Sequence, residues 1–244
     1  MKKKIMAIFL CVALVAIAVV GASLAYFTDT DSAENTFTVG NVKIAIREVF
    51  DPDDAVLVPG KDINKDVFVK NDGSQDAYVR VHIAIPADMD DGDPSFDASH
   101  NFLHFNFTKE SLVAGQWSWL STMTDGEGYN AKDWNFYTAT INDVLYNVYV
   151  VTYRTALEPG AETKTQSLDK VYLDRTVDCN QNEDGTITYK DTKGNKVTLA
   201  KDAEVKVLVF AEGCQAEGFS DAYTALNTSL GTPGSTGYVA PWNK

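Results

Sequence analysis

Residues 67–85 read VFVKNDGSQDAYVRVHIAI, and this stretch decides the fold class. Apolar and polar residues alternate on either side of Asn71-Asp72-Gly73, as they do in strands that bury one face. The sequence Asn-Asp-Gly is typical of tight turns, because glycine adopts positive φ without strain and Asn and Asp tolerate it. We therefore predict a β-hairpin here.

Further segments with a period of two, bounded by turn residues, predict more strands. They lie at residues 42–46, 136–141, 145–153, 171–173, 186–190, 196–199 and 205–211. Phe219, Ala222, Tyr223 and Leu226 instead follow helical spacing and predict one short helix that starts after Gly218 or Ser220. Many short strands and a single helix predict an all-β protein, a jelly-roll-like β-sandwich with loop insertions.

The region between residues 86 and 143 has the weakest pattern. Residues 86–99 are rich in Asp, Gly and Pro, which predicts a loop. Its acidic run, Asp88, Asp90, Asp91 and Asp93, is interpreted as hydrated. Residues 101–119 fit either two short strands or a strand and a helix.

The first 25 residues have the three parts of a secretory signal peptide. Lysines occupy positions 2–4, an apolar run covers residues 5–20, and Ser23 and Ala25 are the small residues that a signal peptidase needs. We expect cleavage between Ala25 and Tyr26. The alternative is an uncleaved anchor, because residues 5–25 reach the roughly 20 residues of a membrane span.

We expect residues 26–244 to form a single β-sandwich domain, preceded by the cleavable signal helix in residues 1–25. Sandwiches commonly run to about 200–250 residues as one domain, and no Pro/Gly/Ser-rich linker interrupts this chain. The formal net charge is −13, and three lysines leave with the signal peptide. Such an acidic surface repels phosphate backbones, so we expect no nucleic-acid partner.

Two short stretches after the apolar run carry a family resemblance. Residues 21–29 read GASLAYFTD and residues 35–42 read NTFTVGNV. Together they resemble the TasA/camelysin family of exported proteins of Gram-positive bacteria. Three later stretches extend the resemblance, residues 58–73, 157–174 and 214–219. The resemblance implies processing by a SipW-type signal peptidase, secretion to the extracellular matrix or cell surface, and membrane contact only through the signal peptide before cleavage.

The resemblance also implies a function. TasA-like proteins are structural proteins of the biofilm matrix that assemble into fibres, in which an N-terminal segment of one subunit completes the sheet of the next. The matching segment here is residues 26–40, and its apolar residues are Phe27, Phe37 and Val39. The implied partners are further copies of the chain and, as additional candidates, other matrix proteins.

Two other functions stay open at this point. A camelysin-like cell-surface metallo-endopeptidase is the first, although the histidines are only His82, His100 and His104 and no His-Glu-x-x-His motif is present. His100 and His104 would align only on a helix, so we interpret the histidines as structural and expect no catalytic residue, metal or cofactor. The second is a monomeric surface-binding module.

Two remaining patterns leave alternatives open. Cys179 and Cys214 are the cysteines of the mature chain, and export would permit a disulfide between them. Spacing does not show whether they come within bonding range, so a bridge and two free thiols are both possible. Asn180, Asn182, Asp184 and Asp191 approach the spacing of a calcium loop, but a solvated turn is the favoured interpretation.

Overall fold

The computed structural model describes residues 41–52, 55–90, 92, 102–105, 116–119, 135–201 and 203–243. The strands are β1 (Ile44–Phe50), β2 (Asp62–Asn71), β3 (Ala77–Pro86), β4 (Leu103–Phe105), β5 (Trp117–Ser118), β6 (Phe136–Ile141), β7 (Val144–Tyr153), β8 (Leu168–Leu173), β9 (Asp178–Gln181), β10 (Ile187–Lys190), β11 (Lys196–Leu199) and β12 (Leu208–Gln215). Helix α1 spans Ala222–Leu230, and Pro241–Asn243 form a 3-10 turn. The predicted cleavage site at Ala25 and Tyr26 and the segment with Phe27, Phe37 and Val39 lie outside the described residues.

The strands form two facing antiparallel sheets and a small third one. Sheet A has the order β1-β2-β8-β4, sheet B has the order β12-β3-β7-β5 with β6 also paired to β7, and sheet C has the order β11-β10-β9. Strands β2 and β3 hold matching positions in sheets A and B, as do β8 and β7, and β4 and β5. The chain therefore crosses repeatedly between the sheets, and the predicted jelly-roll-like sandwich is confirmed.

The predicted hairpin at residues 67–85 is wrong in its pairing, although both strands are present. Strand β2 pairs with β1 and β8, whereas β3 pairs with β12 and β7. The turn carries the chain from one sheet to the other, so Val67 and Val69 belong to the core from sheet A, and Val79 and Val81 from sheet B. All four side chains are fully buried.

Asn71 is the physical reason for this crossing. Its side chain is fully buried, and its Nδ2 donates to the carbonyl oxygens of Gln75 and Leu157, both at 2.8 Å. Its Oδ1 accepts from the Gly73 backbone N–H at 2.9 Å. A Cβ on Gly73 would lie 2.6 Å from the Asn41 carbonyl oxygen, so only glycine fits there. The turn is thus hydrogen-bonded to Leu157, and it does not join β2 and β3 into a hairpin.

Other predictions are confirmed, with shifted boundaries. Strands β6 and β7 form the hairpin predicted around Asn142 and Asp143, whose φ values of 50° and 64° are those of a tight hairpin turn. The last strand begins at Leu208 instead of residue 205. The predicted helix begins after the cap Asp221, whose side chain accepts a hydrogen bond from the Thr224 N–H. In the described parts of residues 101–119 there are two short strands, β4 and β5.

We predict that Asn71→Ala lowers the free energy of unfolding by about 2–4 kcal/mol, because the buried side chain loses its hydrogen bonds to the Leu157 carbonyl, the Gln75 carbonyl and the Gly73 N–H. Denaturant unfolding followed by circular dichroism measures this loss. The matched control is Asn64→Ala in the same strand, where an exposed side chain makes one bond to Asp66 and the loss should stay within about 0.5 kcal/mol. Equal small losses for both variants would contradict the role of Asn71.

Candidate strand-docking cleft

Strands β1 and β12 are the outer strands on one side of the sandwich. Among the described strands, β1 pairs only with β2 and β12 only with β3. An unpaired edge presents backbone N–H and C=O groups to any strand that approaches it. The two edges meet where a Cβ on Gly213 would lie 2.9 Å from Ile44 Cγ2. The glycine permits this close approach, and the sandwich is closed at that end.

Away from this contact the inner faces of the two edge strands are incompletely covered. Ile46 and Phe50 point inward with Ile44, but they are 37% and 40% exposed. On β12, Val209 and Ala211 are only half-buried, although their partners on β3 are fully buried. The core of the sandwich is therefore open to solvent along this side.

A cavity of about 740 Å³ continues this opening beneath the Phe50 end of β1. Its apolar lining comes from sheet A, sheet C and the segment before β12. The lining includes Ile63, Leu103, Val171, Ile187, Tyr189, Leu199, Val205 and Val207. We call this cavity, with the flanking edges of β1 and β12, the open-edge cleft. It offers backbone partners and an apolar interior together, which is what an added β-strand requires.

The cleft also contains two ion pairs. Lys65 Nζ donates to Glu48 Oε1 inside the cleft and lies 4.6 Å from the centroid of the Phe50 ring. At the rim, Lys206 Nζ lies 2.9 Å from Glu204 Oε2, and the lysine lowers the pKa of the glutamate. Sequence reasoning missed Glu48 and Lys65. The available signal was the phase of β1, in which Glu48 follows Ile44 and Ile46 on the apolar side.

The histidines do not assemble a metal site among the residues that the structure describes. His104 lies on strand β4, so helical i, i+4 alignment with His100, which is outside the described residues, does not apply. His104 Nε2 is 2.9 Å from Asp174 Oδ2. Burial lowers the pKa of His104, and the Asp174 carboxylate opposes this shift only in part. No group of three His, Cys, Asp or Glu side chains in the described ranges could hold a metal ion.

A buried charged cluster covers the outer face of sheet B. Glu212 Oε2 accepts from Arg80 Nε at 2.8 Å and from the Tyr238 hydroxyl at 2.8 Å, and it lies 3.1 Å from His82 Nε2. Arg80 also donates to Asn227 of α1 at 3.1 Å. Burial raises the pKa of Tyr238, which keeps the phenol protonated as a donor. The cluster attaches the C-terminal helix and tail to the sheet, and its role is structural.

The interpretation of the acidic run as hydrated is wrong for Asp90, whereas Asp88 is exposed and Asp91 and Asp93 lie outside the described residues. Asp90 is only 2% exposed. Its Oδ2 accepts hydrogen bonds from the Tyr149 hydroxyl at 2.6 Å and from Asn147 Nδ2 at 3.0 Å. The carboxylate thus has partners within the core of the sandwich. No local pattern predicts this burial, because the partners come from β7, nearly 60 positions away.

The calcium-like residues do not converge on one point. Asp184 lies in the β9–β10 turn, where its Oδ1 accepts from the backbone and hydroxyl of Thr186. Asp191 lies beyond the other end of β10 and accepts from Asn195. Strand β10 separates the two carboxylates by seven residues, which corresponds to roughly 20 Å in extended chain. The oxygen atoms instead stabilise two separate turns.

The two cysteines are free in the structure. Cys179 is exposed on the edge strand β9 of sheet C. Cys214 is buried on β12 beside Ala222, Ala225 and Leu226 of the helix. Burial raises the pKa of both thiols, which disfavours the reactive thiolate.

The family comparison bears on the part of the chain that builds one side of the cleft. A family model described as camelysin metallo-endopeptidase matches residues 1–101. Over these residues the predicted resemblance to the TasA/camelysin family is confirmed. The match covers β1, β2 and β3, and therefore includes Glu48, Phe50 and Lys65 of the open-edge cleft. No curated protein matches the chain, and none of its described helices is long and apolar enough to span a membrane.

We predict a pH-dependent contribution of His104 to stability. Because the folded-state pKa of His104 is lowered, the folded protein favours the neutral ring, and this contribution is present above the unfolded pKa of about 6.5. It is lost as the pH falls below that value. The gap in unfolding free energy between wild type and His104→Gln should therefore shrink from pH 7 to pH 5 in thermal or denaturant unfolding. A constant gap would contradict the assignment.

Proposed function

We propose that this chain is a secreted structural protein of the extracellular matrix that assembles into fibres by strand addition at the open-edge cleft. The observation that carries the proposal is the cleft itself. Unpaired edges of β1 and β12 flank an inner face on which Ile46 and Phe50 remain exposed. The neighbouring inward residues of β2 and β3, such as Val67 and Val81, are fully buried, and this contrast supports the edges of β1 and β12 as the place where a strand adds.

Strand addition would pair the free backbone groups of an edge strand and would also cover the exposed apolar residues of the cleft. The backbone of an added strand pairs with the edge of β1 or β12, and every second side chain enters the apolar interior. The cavity of about 740 Å³ provides the volume for those side chains. This arrangement explains why the cavity is apolar and why it lies next to the edges instead of deep between the sheets.

The proposed occupant is the segment of residues 26–40 from another copy of the chain. Phe37 and Val39 are two positions apart, so both would point to the same face of a strand, with Thr36 and Thr38 on the opposite face. Cleavage between Ala25 and Tyr26 would place this segment at the mature N-terminus, where it is free to reach a neighbour. The predicted signal peptide and the family match over residues 1–101 support export by a Gram-positive bacterium, with a SipW-type peptidase making the cut.

We expect deletion of residues 26–39 to abolish fibres and to spare the globular fold. A sharper test uses the alternation of inward and outward side chains along the segment. Phe37→Asp with Val39→Asp puts two charges on the inward face and should abolish fibres, because a buried unpaired carboxylate is strongly unfavourable. Thr36→Asp with Thr38→Asp adds the same charge to the outward face and should leave assembly nearly unchanged. Electron microscopy and light scattering measure fibres, and circular dichroism measures the fold.

Three outcomes would count against donor-strand assembly. Normal fibres from the deletion variant would show that another surface polymerises. Unfolding of that variant would show that the segment is an internal strand of its own subunit. A wild-type protein that stays monomeric at all concentrations would instead favour the monomeric surface-binding module.

The description of the family model supports a second candidate, a metallo-endopeptidase. The described histidines do not favour it, because His104 is engaged with Asp174 and His82 belongs to the buried cluster. We expect the purified mature protein not to cleave a denatured protein, with or without added zinc. Cleavage that a chelator stops and that zinc restores would establish the peptidase and show that residues outside the described ranges supply ligands.

A further inference from the structure

One charged side chain lies on the inner face of edge strand β1. Glu48 follows Ile44 and Ile46 in the inward phase of the strand and stands opposite the fully buried Val67. Its partner Lys65 is the inward residue opposite Phe50. Both members of the Glu48–Lys65 pair therefore point into the open-edge cleft, where every other inward position of β1 is apolar.

The exposure of the pair shows what docking would change. The Lys65 side chain is 10% exposed and the Glu48 side chain is 34% exposed. The lysine is thus already packed in the cleft, while the carboxylate still contacts solvent through the open side. A strand added to the edge of β1 would cover Glu48 and remove that remaining hydration. The pair would then be a buried ion pair.

The charge of the proposed occupant, residues 26–40, determines whether the Glu48–Lys65 pair stays intact when it is covered. Residues 26–40 contain Asp29, Asp31 and Glu34 and no Lys or Arg. The side chains of the segment therefore supply no cation that could replace Lys65 as the partner of Glu48, and the α-amino group that cleavage would expose at Tyr26 is more than ten residues away from Phe37 and Val39. The Glu48–Lys65 pair has to be covered intact, and the loss of its hydration opposes docking.

We propose that the Glu48–Lys65 pair sets the affinity and selectivity of the open-edge cleft for the N-terminal segment of another copy. This inference rests on the proposed function. An inward-pointing charge is one of the features by which proteins keep an exposed edge strand from pairing with any strand that it meets. Here the pair weakens docking in general, so only a segment whose apolar residues fill the cavity offsets the lost hydration. Assembly then depends on that specific segment.

The test compares a single and a double substitution in the mature protein. Lys65→Met leaves the Glu48 carboxylate without a cation, beside an acidic segment, and should raise the critical concentration for assembly about tenfold or more. Glu48→Leu with Lys65→Met replaces the pair by apolar groups and should lower the critical concentration about tenfold. The change in critical concentration relative to wild type is therefore opposite in sign for the single and the double variant. Sedimentation of polymer at a series of protein concentrations measures it.

A matched control lies on the other face of the same sheet. Lys170 Nζ is 2.8 Å from Asp62 Oδ2, and the two side chains are 28% and 57% exposed. Lys170→Met and the double variant Asp62→Leu with Lys170→Met make the same chemical changes outside the cleft. Both should leave the critical concentration within about twofold of wild type, because exposed ion pairs contribute little.

The outcomes separate this inference from the proposed function. Suppose that the mature protein assembles, that its deletion variant without residues 26–39 does not, and that the single and double substitutions change the critical concentration in the same direction. The inference on the Glu48–Lys65 pair is then overturned, and strand addition stands. If the wild type does not assemble, or assembles without that segment, both are overturned. Thermal unfolding of each monomer checks the fold. Should Lys65→Met fail to fold, Lys65→Gln keeps a hydrogen-bond donor without the charge, and it should also raise the critical concentration.

Discussion

The buried side chain of Asn71 is the interaction on which the arrangement of the two sheets depends. By holding the carbonyls of Gln75 and Leu157, it makes the turn after β2 cross the core instead of folding back into a hairpin. The valines of β2 then face the valines of β3 across the sandwich. A hairpin at the same five-residue turn would place both strands in one sheet and leave their apolar faces without a partner. The Asn71 side chain thus places the amphipathic strands β2 and β3 on opposite sides of one core.

The crossing also determines where the sandwich remains open. With β2 and β3 in the second position of their sheets, the strands outside them, β1 and β12, become the edges of one side. The close approach of Ile44 to Gly213 closes that side at one end. Beyond it, apolar inner faces stay in contact with water, which is unfavourable for an isolated subunit. In the assembly that we propose, covering the same area with another strand would release that free energy, so the exposed edge of the subunit and the stability of the assembly would have one origin.

Much of the local structure could be predicted from the sequence, because the information lies within a few residues. The alternation in β3, the Asn142-Asp143 turn and the spacing of Ala222, Tyr223 and Leu226 each report on their own neighbourhood. Pairing could not be predicted in the same way, since Asn-Asp-Gly permits a hairpin but does not require one. Nor could the burial of Asp90 or of Arg80 be predicted, because the partners that satisfy their charges, Tyr149 and Glu212, are distant in the chain. The cleft depends on which strands become edges, and local patterns carry no information on that choice.

The Arg80–Glu212 pair has a consequence for the order of events in the life of the chain. Its two members are 132 positions apart, and the Tyr238 hydroxyl that completes their hydrogen bonding lies still closer to the C-terminus. Strand β3 cannot obtain its neighbour β12, nor the guanidinium its carboxylate, until nearly the whole polypeptide has been synthesised. Contacts so distant along the chain form slowly. If the chain is exported as we propose, this delay would help to keep the precursor extended while it crosses the membrane.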